Sequence, residues 1–160
     1  MAGRVPSGGT EGAWRTAHAV WVGCAACVTA VWIALPALLR VPARADEVGW
    51  LLTLIFLGVG ALEVAAGVWF KRRALRPGMA APSTREALGR LVGQSLVAVV
   101  MTQTPAVLGV VAYLVTGSRL ALSLLCGLSL FGLFLVRPRL EEWQEALLAL
   151  RIDEDRRPRG

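Results

Sequence analysis

Charged residues make up only 18% of this 160-residue chain, against roughly 25% in soluble domains, while apolar residues reach 56%. The few charges gather at the edges of long apolar segments, which are apolar on every face. A soluble four-helix bundle, with its polar outer surface, is thereby excluded. Histidine occurs once, as His18, and cysteine three times. A lone histidine with no acids or cysteines beside it forms neither a metal site nor a haem pocket, so no cofactor is expected. No phosphate-binding glycine loop, nucleophile elbow or zinc spacing occurs, and nothing points to an enzyme.

Cys24 and Cys27 form a Cys-x-x-Cys pair. A quinone-linked thiol oxidoreductase would need a second pair on the oxidising side, and only Cys126 remains, so small apolar packing residues are expected. Trp21-Val22-Gly23-Cys24 has the look of a lipoprotein cleavage box, but the apolar run continues to Leu39 and reads as an uncleaved first helix. Residues 1–13, rich in Gly, Ser, Pro and Thr, are expected to form a disordered tail.

Four stretches are long enough for a bilayer, which takes about 20 apolar residues. They cover residues 17–39, 48–70, 91–115 and 119–136 within a transmembrane domain of 14–136. The net charge of +6 would suggest nucleic acid in a soluble protein. Here the arginines flank the spans, where they act as topology signals and meet lipid headgroups, so the lipid bilayer is the expected partner and nucleic acid is not. Fourteen basic residues lie in the two tails and the 71–90 loop, and three, Arg40, Arg44 and Arg119, in the other two connections. This distribution places both termini in the cytoplasm. Sixteen arginines against one lysine, with abundant Ala, Gly and Val, suggest a GC-rich genome and a bacterial inner membrane.

The expected fold is all-α: an integral membrane four-helix bundle of two antiparallel hairpins, joined at Arg40–Glu47 and around Gly117-Ser118. Arg76-Pro77-Gly78 and Ala81-Pro82 mark irregular chain in the central loop. Ser83-Thr84-Arg85-Glu86 then reads as a capping box that starts the third helix ahead of the bilayer. In residues 137–160, Leu140, Trp143, Leu147 and Leu150 recur at helical spacing opposite Glu141, Glu142 and Glu145. They predict an amphipathic cytoplasmic helix of about three turns, lying at the membrane interface or docked on the end of the bundle or on a partner, followed by a basic tail.

Glu63 is the one ionisable residue deep within a span, about four residues, or roughly 6 Å, from the middle of its segment. A carboxylate there costs several kcal/mol unless it finds a partner or a proton. Gly60 and Gly67 share its face and admit a neighbouring helix. On the third span Ser95, Ala98, Thr102, Pro105, Gly109 and Ala112 form a matching face of small residues. Pro105 cannot donate to the Met101 carbonyl. Gln103 lies at mid-span, to one side of that face. A protonated Glu63 bonded to Thr102, Gln103 or the Met101 carbonyl is the expected interhelical contact.

Residues 101–111, Met-Thr-Gln-Thr-Pro-Ala-Val-Leu-Gly-Val-Val, resemble the ion-carrying helix of rotary ATPase proteolipid subunits. That motif has Glu, then Ala-Pro-Ala, an apolar pair and Gly. The resemblance places Gln103 where the family carries its ion-binding Glu, and Gln neither takes up nor releases a proton. The glycine-dense first helix of the family's hairpin has no counterpart in 48–70. The resemblance therefore implies a degenerate relative rather than a working rotor, and the chain is otherwise similar to bacterial four-helix membrane proteins. The expected function is that of a non-catalytic assembly or interaction subunit, forming a homo-oligomer or joining other membrane proteins. The alternative is a proton- or cation-translocating subunit, or a small transporter, that uses Glu63.

Overall fold

The computed structural model describes residues 7–42, 47–75 and 84–156. Six helices follow in order: α1 (Ser7–Leu38), α2 (Glu47–Ala74), α3 (Thr84–Met101), α4 (Thr104–Thr116), α5 (Arg119–Val136) and α6 (Leu140–Arg156). The start of the N-terminal tail, the middle of the first turn, the irregular chain at 76–82, the cap residue Ser83 and the end of the basic tail lie outside the described residues.

The chain is an integral membrane bundle of four spans: Gly9–Leu38, Gly49–Ala74, Glu86–Thr116 and Arg119–Val136, of 30, 26, 31 and 18 residues. The third consists of α3 and α4 together. A bilayer core of roughly 30 Å takes about 20 residues of helix, so the fourth span is the shortest that fits. Ile33, Leu51, Leu62, Val100, Phe131 and Phe134 stand exposed around the outside, a surface that only lipid would tolerate.

The first helix starts earlier than its composition suggests, and the expected disorder of residues 7–13 is corrected. Glycine lowers helix propensity there, but contacts with the rest of the molecule override it. Arg15 pairs with Glu11 at 2.8 Å along the helix. Thr10 is buried, and the Trp14 indole donates to the Pro138 carbonyl at 3.3 Å.

A second correction concerns the first hairpin. Although a short connection joins α1 to α2, they are not packing partners. In the middle of the bundle α5 lies against α4, while α2 packs on α3, α4 and α5, and α1 packs on α3 and α5. The glycines of α2 explain the choice. A Cβ on Gly60 would stand 3.1 Å from Pro105, and one on Gly67 would stand 3.0 Å from the Ala98 carbonyl oxygen. Only this face lets α2 close on the third span, and in lipid such close packing, not water exclusion, drives association. The fit is tightest at Gly132 of α5, where a Cβ would meet Val64 at 2.8 Å and Thr102 at 3.0 Å.

The last two spans join by a tight turn as expected. Gly117 takes φ 68°, a left-handed conformation that suits glycine, and its N–H donates to the Tyr113 carbonyl. Ser118 then caps α5 by accepting from the Ala121 N–H.

The amphipathic segment docks on the bundle. Trp143 and Leu147 of α6 are each only 1% exposed, and Leu147 packs with Ala87 and Leu91 of α3 beside Ala74 and Leu75. Lys71, at the end of α2, reaches Glu142 of α6 at 3.0 Å and donates to the Arg137 carbonyl at 2.9 Å. This end therefore has a lid of its own chain.

Replacing Gly132 by Ala is expected to destabilise the bundle by about 1–3 kcal/mol through overpacking. Gly93→Ala, where a Cβ meets open space, should leave stability unchanged or slightly raised, and thermal unfolding in detergent compares the two. Trp143→Ala should cost about 3–5 kcal/mol of local packing. It is then expected to release α6, read as protease cleavage within 140–156 that the parent chain resists.

Candidate functional site

The chemistry available to this chain lies in a polar layer midway along the spans, and its geometry starts at Pro105. Proline has no N–H to continue the helix ladder, so the third span breaks between Met101 and Thr104. The ladder tightens on both sides: Gln103 N–H donates to the Val100 carbonyl at 3.0 Å, and Ala106 N–H donates to the Gln103 carbonyl at 3.0 Å. In a regular helix Ala106 would serve the Thr102 carbonyl instead.

That displaced carbonyl is satisfied from another span. The Ser129 hydroxyl of α5, fully buried, donates to the Thr102 carbonyl at 2.6 Å. Thr102, also fully buried, turns its own hydroxyl back to the Val99 carbonyl at 2.8 Å. No water is available at this depth, so a break without such a donor would be expensive.

Around the break several small residues lie at the helix contacts. Gly60 faces Pro105, Gly67 faces Thr102 and Ala98, and Gly109 faces Leu125 of α5. Pro105, Gly109 and Ala112 are buried, and Ser95 is half-buried.

Glu63 and Gln103 do not meet. Glu63 is half-buried near the middle of α2, and among the described residues its carboxyl has no hydrogen-bond or ion partner. Gln103 turns towards α1, where it lines an apolar groove with Cys27, Val28, Val31, Ala106, Val107 and Val110. Its amide nitrogen is buried without a partner. The third span thus separates the two side chains: α2 lies on one side of it and the groove on the other.

The remaining chemistry-bearing residues are dispersed. Cys126 is fully buried in a cluster with Val28, Ala106, Tyr113 and Leu122. Cys24 packs beside Leu133 and Val136, Cys27 is exposed, and all three are free thiols. His18 is stacked between Trp14 and Trp21, with ring centroids 5.0 and 5.5 Å away. Among the described residues no three His, Cys, Asp or Glu side chains come together as a metal would require.

Sequence reasoning missed the donors that tie the spans together. Ser129 is one, and the stripe Leu122, Cys126, Ser129, Leu133, Val136, all buried, is the signal that could have found it. Others hold α1: Trp21 donates to the Leu133 carbonyl at 2.7 Å and Trp32 to the Ser123 hydroxyl at 3.0 Å. Tyr113 of α4 donates to the Leu39 carbonyl at 2.6 Å.

No protein-family model matches this chain, and no curated protein or solved structure matches it either.

Ser129→Ala would leave the Thr102 carbonyl buried without its donor and is expected to cost about 1–3 kcal/mol. Denaturant unfolding of the parent and variant in mixed micelles measures the difference.

Proposed function

We propose that this chain is a non-catalytic assembly subunit, associating in the membrane with further copies of itself or with other membrane proteins through the flank of α2 that bears Glu63. The supporting observation is the carboxyl itself. It lies near mid-span, half-exposed, with no partner in its own chain among the described residues. An intramembrane carboxyl is costly in lipid and is normally met by a partner group. A neighbouring helix with a backbone carbonyl or polar side chain supplies that partner.

The distribution of basic residues supports an orientation with both termini and α6 in the cytoplasm. The arginine-rich, Ala- and Gly-rich composition supports a bacterial inner membrane.

The same exposure of Glu63 favours one other reading, the movement of a proton or cation with Glu63 as the titrating group. In that reading the chain is a proteolipid-like subunit or a small transporter that works through Glu63, since Gln103 carries no exchangeable proton.

The oligomeric state of the purified protein in nanodiscs, counted by single-molecule photobleaching, tests the proposal. Assemblies of two or more chains are expected for the parent and for Glu63→Gln, which keeps a donor, and monomers for Glu63→Leu. A parent chain that is monomeric, with Glu63 labelled by a hydrophobic carbodiimide in a manner that declines around neutral pH, would replace assembly with ion movement.

A further inference from the structure

The groove between α1 and α4 lies across the third span from Glu63, and neither the assembly reading nor its alternative uses it. Its volume is about 130 Å³, and it is open to the outside. Five of its lining residues are Val28, Val31, Ala106, Val107 and Val110, so its walls are apolar, with Cys27 at an exposed position on α1. Gln103 is the exception, and its amide nitrogen is buried without an acceptor. A buried amide donor left unpaired is a penalty that proteins rarely carry without cause.

We propose that this groove binds a ring-sized lipophilic carbonyl compound of the quinone class, whose carbonyl oxygen accepts a hydrogen bond from the Gln103 amide. Depth selects against phospholipid headgroups. Gln103 lies near the middle of the Glu86–Thr116 span, and ester and phosphate groups sit at the boundaries of a core roughly 30 Å thick. Chemistry selects against an acyl chain, which brings no acceptor to the amide. Size favours a single ring, since an apolar cavity of about 150 Å³ holds benzene. A carbonyl on a ring that dissolves in the bilayer core meets all three conditions, and the open side of the groove gives it a route from the lipid.

Cys27 reports occupancy. In a Cys24→Ala background it is the only accessible thiol among the three cysteines, because Cys126 is fully buried. The probe is a fully substituted benzoquinone with a decyl tail, which has no free ring position for thiol addition. The measurement is the rate of Cys27 alkylation by a maleimide in nanodiscs as the probe is titrated. Saturable protection is expected, with the half-protecting concentration raised about tenfold in Gln103→Leu, the fold-change of one buried hydrogen bond. Gln103→Leu removes no hydrogen bond within the chain, and Val107→Trp, at an exposed position, is a second variant that fills the groove and should abolish protection. No protection of the parent would overturn the proposal. So would equal protection by decane, or an unchanged half-protecting concentration in Gln103→Leu, either of which makes the groove an acyl-chain slot. Oxidative cross-linking of Cys27 between copies in the absence of probe would show a second chain covering the groove, and would overturn it as well.

Discussion

The bond from the Ser129 hydroxyl to the Thr102 carbonyl is the point on which the bundle turns. Pro105 interrupts the third span where no water can repair the ladder, and the Thr102 carbonyl is among those around the break that lose the regular donor. Only a side chain from another span can replace it, and that requires α5 to lie directly beside the break. With α5 fixed there, its other faces decide the remaining positions. Gly132 admits Val64 of α2, and the opposite side is left for α1. The central position of α5 thus follows from one orphaned acceptor and one hydroxyl.

The break also sorts the polar side chains. A straight helix would keep residues 102, 103 and 105 in a fixed angular relation. The tightened turn carries Gln103 to the α1 side, while Thr102 and Pro105 stay against α2 and α5. Glu63 is left without a hydrogen-bond or ion partner among the described residues. The unpaired Gln103 amide and the unpaired Glu63 carboxyl thus lie on opposite sides of the third span.

Much of this was legible in the residues. Four apolar runs bounded by arginines define the spans, because length and charge are the only requirements a bilayer sets. The match between Gly60, Gly67 and the Ala98–Thr102–Pro105 face could be read from spacing, since close approach needs small residues at helical period. The amphipathic segment at 140–147 was equally plain. Three things were not legible. Helix pairing depends on which face fits best rather than on which connection is short, and so α1 and α2 separated. The early turns of α1 hold through contacts with residues more than a hundred positions away. The side of the third span to which Gln103 turns depends on the tightened turn at the proline break, which no periodicity encodes.

The seat of α1 has a consequence for biogenesis. Every surface that α1 rests on, from Val28 against Ala106 and Leu122 to the indole bonds at Leu133 and Pro138, belongs to segments synthesised after it. Among the described residues α2 is not packed against it. α1 is therefore made ahead of every surface that holds it, gains its first neighbours with the third span and is fully seated only when α5 has emerged. Its apolar outer face, with Ile33 and Leu38 exposed, and its tryptophans near both ends suit a helix that stands in lipid before its neighbours arrive.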